Sequence, residues 1–316
     1  MFSPFNTCAM PLIKMITPME EKNSYSLYLA VFRVFICIHL AKDIFLSWPY
    51  LGILYGPESF VAPIPTFVSE LLRIDSNVIR AHYQLFIASY LVVIVLYLFG
   101  IGKNLTVLVL FLLHQTLQRL CPLILNGGDN LLTFIILYMI FANSYEYFSI
   151  RSLQWRHVLL RRTSNLLSNL AVLAIVLHLC MAYFWSAVHK IHADVWFNGV
   201  ATYYTFNLER FRGTPINHWL AQNGYFVTIS TYATVGYELF FPVLIWFRQT
   251  RLFMIFGGIL LHLGIYVFMM IYDFEIVFIM TYGFFFTDEA WLKVINKVIG
   301  WVNGRFRRNI PLLQPA

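Results

Sequence analysis

The sequence predicts an all-α membrane protein, a polytopic helix bundle of about eight transmembrane helices. Of its 316 residues, 59% are hydrophobic and only 12% are charged, a composition too apolar for a soluble domain. Apolar runs of close to 20 residues, the length of helix that crosses a bilayer, recur along the chain. Basic residues collect in the short segments between these runs, as they do in the loops of membrane proteins.

The apolar runs fix the positions of the predicted spans. We place them at about residues 26–48, 78–101, 104–124, 129–148, 166–188, 226–247, 252–272 and 274–288. An even number of spans puts both termini on one side. Of the 22 Lys and Arg residues, about 14 lie on that side and about 6 on the other. The positive-inside rule therefore predicts a multi-pass protein of the plasma membrane with both termini in the cytoplasm.

The predicted organisation has three parts: a cytoplasmic N-terminal segment, 1–24, a transmembrane domain, 25–290, and a basic cytoplasmic tail, 291–316. The first 25 or so residues lack the apolar core of a signal peptide, so we expect no cleavage. The four cysteines are scattered and indicate neither a disulfide framework nor a zinc site. Membrane topology accounts for the net charge of +7, so we expect the lipid bilayer, and no nucleic acid, as a partner.

One stretch departs from ordinary membrane helix, HLCMAYFWSAVHKIHADVWFNGVATYY at 178–204. An apolar run passes directly into His189, Lys190, His192 and Asp194 and then into an aromatic segment. Ionisable side chains at membrane depth are candidate functional residues. A helix that continued through the run would place on one stripe the side chains of Tyr183, Ser186, Lys190 and Asp194.

Two interpretations of Lys190 remain open at this point. Desolvation in an apolar chamber would make its amine available as a base. Alternatively, Lys190 extends to the membrane interface or pairs with Asp194, one turn further on. His189 and His192 are also one turn apart, but a histidine pair with one carboxylate lacks the further ligands of a zinc centre. We therefore predict no metal site.

Polar side chains crowd the outer half of the predicted bundle, where each would be costly in lipid unless it faced another polar group or water. A wet, charged chamber open to the outside satisfies them. We assign to its framework Arg33, Asp43, Glu238 and His262, and to its outer wall Trp196 and Asn198. Arg33 and Glu238 have opposite charges, so we expect them to pair with each other or with neighbours.

The run LNGGDNLL at 125–132 combines a turn with a helix start. Asn126, Gly127 and Gly128 predict the turn, and Asp129 is expected to be the N-cap of the following helix. Asp129 would lie at the same membrane depth and on the same face as Lys190. Capping and chemistry are therefore compatible at this position.

Several of these segments together resemble the HTTM family, whose membrane domain is shared by vitamin K-dependent gamma-carboxylases and many bacterial proteins. The similar segments are SLYLAVFRVFICIHLAKDIF, NGGDNLL, YFWSAVHKIHADVWFNGVATYY, YELFFPVLI and ILLHLGIYVFM, which extend from about residue 24 to 290. The resemblance implies that Lys190 acts as a base, that the site opens to the extracytoplasmic side, and that a reduced quinone is the cofactor.

The chain also departs from the carboxylases. It ends soon after the last predicted span, so we expect no large extracytoplasmic domain. Where the carboxylases have an asparagine–histidine pair, it reads Asn-Gly-Gly-Asp, so we do not expect carboxylation of glutamate. The short form is similar to the sporulation-delaying toxin maturation proteins of bacteria. That resemblance implies an exported peptide precursor and a small accessory protein as partners.

The sequence thus predicts a membrane protein that modifies or matures an exported peptide at an outward-facing polar site. The predicted catalytic residues are Lys190, as base or as cation for an anionic intermediate, Asp129 and Asn126, as its polar partners, and His189, as a proton relay. Two alternatives from other classes stay open. One is a non-catalytic immunity or scaffold protein, and the other is a transporter of a small molecule or peptide.

Overall fold

All eight predicted apolar runs contain a helix. A computed structural model describes residues 17–65, 70–71, 73, 75–150, 157–306 and 311–313. Within these ranges the protein is all-helical and has no strand, which confirms the all-α class. The longer helices are α1 (Ser26–Leu46), α2 (Tyr83–Leu98), α3 (Asn104–Leu120), α4 (Gly127–Met139), α5 (Val158–Ile191), α6 (Gly224–Leu244), α7 (Arg248–Met269), α8 (Tyr272–Thr281) and α9 (Asp288–Phe306).

Shorter helices connect these elements. They are Leu51–Tyr55, Ser76–Ala81, Asp194–Phe197, Ala201–Asn207 and Pro215–Ala221, with 3₁₀ turns such as Tyr282–Phe285 after α8. Residues 1–16 of the predicted N-terminal segment, and 307–310 and 314–316 of the predicted tail, lie outside the described residues.

Three helices differ clearly from the sequence-based expectation. Helix α8 ends at Thr281 instead of near residue 288. Helix α5 is longer, because it begins at Val158 instead of near residue 166 and continues past residue 188 to Ile191. Helix α4 ends at Met139 instead of near residue 148. Beyond it, the Asn143 side chain accepts a hydrogen bond from the Tyr145 backbone N–H at 3.2 Å and donates to Glu146 at 3.1 Å. Such local side-chain bonds compete with the helical backbone pattern.

Among the described residues, two helices are long and apolar enough to cross a membrane, α5 and α7. Helix α2 is apolar but shorter. Helix α1 matches α6 in length, at 21 residues, but it carries Arg33, Lys42 and Asp43. Charged groups of this kind lower the hydropathy of a helix without preventing it from being buried among others.

The chain divides into two compact units. The first draws its described residues from the ranges Met1–Leu125, Leu132–Ala174 and Phe284–Ala316, and the second from Asn126–Leu131 and Ile175–Gly283. Helices α4 and α5 therefore contribute residues to both units. The second unit contains the end of α5, the short helices that follow it, and α6 to α8.

Arg33 organises the interior of the first unit. Its side chain is fully buried, and its guanidinium donates to the carbonyl oxygens of Ser144 at 2.6 Å, Tyr147 at 3.0 Å and Phe148 at 2.6 Å. These carbonyls belong to the irregular segment that follows α4, so one side chain of α1 satisfies several backbone acceptors at once. Arg33 is thus a structural residue that holds this segment.

Helix α9 is anchored to the start of α1 in the same unit. The Asp288 carboxylate accepts from the Ser26 hydroxyl at 2.9 Å and from the backbone N–H groups of Leu27 at 3.0 Å and Tyr28 at 3.3 Å. Those N–H groups lie in the first turn of α1, where they have no intrahelical acceptor. Helix α9, which contains most of the described part of the predicted basic tail, is therefore docked on α1 through its first residue.

Candidate functional site at the end of helix α5

Helix α5 positions the lysine that the sequence singles out. Because α5 continues to Ile191, Tyr183, Ser186 and Lys190 follow one stripe of it, as expected. The Lys190 ammonium donates to the Ser186 hydroxyl at 3.1 Å, one turn earlier. Asp194 leaves this stripe, because α5 has ended and Asp194 begins the next short helix.

The main partner of Lys190 is Glu238 on α6. The ammonium group donates to the Oε1 atom of that carboxylate. The Glu238 side chain is 8% exposed and the Lys190 side chain 21%, so the pair is largely removed from water. The second carboxylate oxygen, Oε2, is buried and has no hydrogen-bond partner in the described part of the chain. One carboxylate oxygen thus holds the amine, and the other is buried without a hydrogen bond of its own among the described residues.

An aromatic ring completes the surroundings of the amine. The Lys190 nitrogen lies 4.8 Å from the centroid of the Trp196 ring, within the range of a cation–π interaction. The other titratable groups of the segment, His189, His192 and Asp194, are exposed. Of the four charged or titratable side chains in the run, Lys190 is the one that turns inward.

The turn after Trp196 depends on a glycine. Gly199 has φ +71°, a left-handed conformation that glycine adopts without the steric cost of a Cβ atom. A Cβ atom here would also lie 2.9 Å from the Tyr232 ring. The Tyr232 hydroxyl donates to the Phe197 carbonyl at 2.8 Å, which ties this turn to α6. The glycine at position 199 is therefore explained by backbone geometry and close packing.

A cavity of about 510 Å³ lies beside this turn. Its lining is aromatic and apolar with one amide, and consists of Ile191, Trp196, Phe197, Asn198, Tyr232 and Val235. Trp196 belongs both to the cavity wall and to the surroundings of Lys190. Cavities of this size and lining accommodate small organic ligands or individual side chains of a larger one.

The NGGD motif forms a helix start, but Asp129 is not its N-cap as the sequence analysis expected. Helix α4 begins at Gly127, and the Asn126 side chain accepts from the N–H groups of Gly128 at 2.7 Å and Asp129 at 3.3 Å. The Asp129 carboxylate accepts in return from the Asn126 N–H at 2.8 Å. The two residues form a reciprocal capping box with Asn126 as the cap.

Both glycines of that motif allow a close approach of α8. A Cβ atom on Gly127 would lie 2.8 Å from the Phe274 ring, and one on Gly128 would lie 2.5 Å from the Phe274 Cα atom. The contact with Gly128 is to backbone, which cannot rotate away. The glycine pair is thus required by packing, and the contacts of Asn126 and Asp129 given above are those of a cap.

The predicted framework residues have separate places. In the first unit, Asp43 lies 3.0 Å from the Lys42 ammonium and 3.5 Å from the His39 ring, whereas Arg33 binds backbone carbonyls. Glu238 was expected to act as a structural lock, with Arg33 or with other neighbours, and the structure gives it Lys190 as a partner. His262 is buried and contacts Glu275 and Tyr183.

Sequence reasoning missed Glu238 as the partner of the lysine and did not single out Glu275. The rule that flagged Lys190, an ionisable side chain inside an apolar run, applies equally to Glu275 in IYDFEIVFIM. Glu275 could therefore have been singled out from the sequence. The pairing of particular helices, by contrast, depends on their rotation about their axes, which the sequence of one helix does not specify.

Comparison of the chain with family models, with curated proteins and with solved structures finds no match. The fold and the site define an all-α protein with helices of membrane-spanning length and a buried lysine–glutamate pair beside an aromatic cavity.

Proposed function

We propose that this chain is a multi-pass enzyme of the plasma membrane that modifies an exported peptide at an outward-facing site, in a reaction that begins with removal of a proton from the peptide. The observation that carries the proposal is the buried pair of Lys190 and Glu238 with its unpartnered carboxylate oxygen. A cation and a free basic oxygen held together out of water are the two elements that deprotonation of a weak acid requires.

The outer surfaces of the helices support the membrane location. Helix α7 exposes on one side Leu252, Phe253, Phe256 and Leu260, each at least 55% exposed. A contiguous exposed stripe of large apolar side chains on a 22-residue helix suits contact with lipid. Together with the eight apolar runs of the sequence, this favours a polytopic bundle over a soluble one.

The charge distribution supports the orientation. The positive-inside rule places both termini in the cytoplasm and therefore places the end of α5 at the outer face. Lys190 and the cavity would then be accessible to a molecule that has left the cytoplasm. An exported peptide, the substrate class that the resemblance implies, would reach the site from this side with a small accessory protein.

The roles of the residues follow from the contacts. Lys190 is held by a carboxylate and a hydroxyl, so it acts as the ammonium cation that stabilises negative charge developing on the substrate. Glu238 Oε2 is the proton acceptor. The aromatic wall, which includes Trp196, excludes water and orients the bound group. His189 is exposed and contacts the Trp185 ring, so we assign no step to it.

The cavity also fits the cofactor that the resemblance implies. Trp196, Phe197 and Tyr232 would hold a planar quinol ring by stacking and edge contacts, and the Asn198 amide would hydrogen-bond a ring oxygen. A bound quinol would supply reducing electrons to the reaction. The proton-transfer roles of Lys190 and Glu238 are derived from their own contacts and do not require it.

The test is mass spectrometry of exported peptides from cells producing the wild-type chain, Lys190→Ala, Glu238→Gln or the control Lys293→Ala. Lys293 is exposed on α9, far along the chain from the site. We expect a peptide of altered mass with the wild type and the control, and the unaltered precursor with the two site variants, at equal amounts of membrane protein.

Identical peptide masses from all four chains would refute an enzymatic role. Unaltered masses with reduced export would instead indicate a transporter.

A further inference from the structure

A second buried cluster of titratable groups lies deeper in the second unit. It comprises Tyr183 on α5, Tyr237 on α6, His262 on α7, Glu275 on α8 and Tyr282 in the 3₁₀ turn after α8. Its centre is a hydrogen bond between His262 Nδ1 and Glu275 Oε2. None of these contacts belongs to the proposed peptide site, and the inference drawn from them does not depend on the proposed function.

The cluster is a continuous chain of hydrogen bonds. The other ring nitrogen of His262, Nε2, is 2.5 Å from the Tyr183 hydroxyl, which in turn contacts the Tyr282 hydroxyl. The hydroxyls of Tyr282 and Tyr237 are 3.4 Å apart, and Tyr237 donates to the Met254 carbonyl at 3.0 Å. Each group in such a chain can accept from one neighbour while it donates to the next.

Four members of the cluster are sealed from water, and Tyr237, at the end of the series of hydrogen bonds, is partly exposed. The side chains of His262 and Glu275 are 2% and 0% exposed, and Tyr183 and Tyr282 are also buried. The rings of Phe241 and Phe278 pack against Tyr183, with centroids 4.4 and 5.6 Å away. An ionised group in these surroundings would be costly without a counter-ion.

Counting the protons shows which protonation state of the cluster avoids the cost of a buried charge. If Glu275 is the neutral acid, it donates to His262 Nδ1, and His262 Nε2–H donates to Tyr183. The hydroxyls then donate in order to Tyr282, to Tyr237 and to the Met254 carbonyl. Every hydrogen of the chain has an acceptor, and the cluster carries no net charge. The second oxygen of Glu275, Oε1, is buried without a hydrogen-bond partner among the described residues, which disfavours a carboxylate.

We propose that His262 and Glu275 form a proton-binding site that stores one exchangeable proton inside the helix bundle, with the three tyrosines as its path. Release reverses each hydrogen bond between Glu275 and Tyr237, and the bond from Tyr237 to the Met254 carbonyl breaks. Tyr237 gives its hydroxyl proton to a water molecule and receives that of Tyr282, which receives that of Tyr183. Tyr183 then takes the Nε2 proton, and Nδ1 takes the Glu275 proton.

The released state is balanced in atoms and charge. One proton has passed to water, and one negative charge remains on Glu275, which accepts from His262 Nδ1–H. All three tyrosines keep a hydroxyl proton, so no tyrosinate forms. The path begins at Tyr183, two turns before Lys190 on α5. The first tyrosine of the path therefore lies on the same stripe of α5 as the lysine.

Infrared spectroscopy of the purified full chain with ¹³C-carboxyl-labelled glutamate tests the proton store directly. We expect the wild type at neutral pH to show the carbonyl stretch of a protonated glutamate. Glu275→Gln should lose that band, and Glu289→Gln, an exposed control, should keep it. A wild-type spectrum without a protonated glutamate, or a band that persists in Glu275→Gln, would overturn the proposal. Absence of the band from the wild type refutes the proposal even if the variant does not fold.

The tyrosine path has its own test. Tyr183→Phe removes the acceptor of the His262 Nε2–H, so we expect the glutamate band to move in frequency and its exchange in D₂O to slow at least about tenfold. Tyr266→Phe is the control. It removes a hydroxyl from α7, but the Tyr266 ring packs on Tyr272 and does not belong to the series of hydrogen bonds. This variant should leave the band frequency and the exchange rate unchanged. An unaltered band and exchange rate in Tyr183→Phe would show that the tyrosines carry no proton.

Discussion

The ammonium group of Lys190 donates to the carboxylate of Glu238 on another helix, 48 residues further along the chain. The pair is largely buried, so each charge is stable there chiefly because the other is present. A lysine in this contact is a fixed cation. Its surroundings therefore favour stabilisation of an anion over action as a free base.

Removal of both members of the pair should destabilise the protein by less than the sum of the two single removals. Lys190→Met leaves a buried carboxylate and Glu238→Gln leaves a buried ammonium, and we expect each to cost about 3 kcal/mol. The double variant should be more stable than the sum of the two single costs predicts. Thermal unfolding of the purified chain in detergent measures the series, with Lys293→Met as an exposed control. Additive costs in the double variant would show that the two charges do not interact.

The glycines before α4 should be intolerant of a methyl group. Gly128→Ala would place a Cβ atom 2.5 Å from the Phe274 Cα atom, so the backbone of α4 or α8 must shift, at a cost of about 1–3 kcal/mol. Gly264→Ala on α7 is the matched control, because a Cβ atom there meets nothing within 4 Å. Unfolding midpoints compare the two. Equal midpoints would show that the NGGD turn is not closely packed.

Arg33 should not be replaceable by lysine. A lysine keeps the charge but has one ammonium group, which cannot replace a guanidinium fork that donates to three carbonyls of the segment after α4. We expect Arg33→Lys to lower the free energy of unfolding by about 2 kcal/mol, because at least one buried carbonyl loses its donor. Arg248→Lys, at the exposed start of α7, should be neutral. Equal stability of both variants would mean that charge alone is required at position 33.

The sequence predicted the helices more reliably than the contacts between them. Apolar runs located all eight helices from α1 to α8, because burial or lipid contact demands a continuous apolar surface. They did not show that α4 ends at Met139, because this depends on local bonds of Asn143. Lys190 was singled out by its membrane depth, but its partner was not. The Asp129 carboxylate accepts a hydrogen bond from the Asn126 N–H in the cap of α4. Glu238 reaches Lys190 only because α6 packs on α5.

The anchor of α9 should depend on one carboxylate. Asp288→Ala removes the acceptor for the Ser26 hydroxyl and for two backbone N–H groups of α1, and loss of a capping acceptor costs about 1 kcal/mol. We expect α9 to become more sensitive to limited proteolysis while the rest of the chain stays intact. The Glu289→Ala variant, in which the neighbouring exposed acid is changed, should be cleaved by the protease like the wild type. Identical cleavage of both variants would show that other contacts hold the helix.

The proposed topology places α9 and the loop before α6 on opposite sides of the membrane. In a chain whose four cysteines are replaced by alanine, a single cysteine at exposed Gln222 should react with a membrane-impermeant maleimide in intact cells. A single cysteine at exposed Lys293 should react only after the membrane is opened, because the positive-inside rule places it in the cytoplasm. Reaction of both cysteines in intact cells would contradict a cytoplasmic α9. Protection of both would place residue 222 inside the cell or the membrane, and with it the proposed outer site.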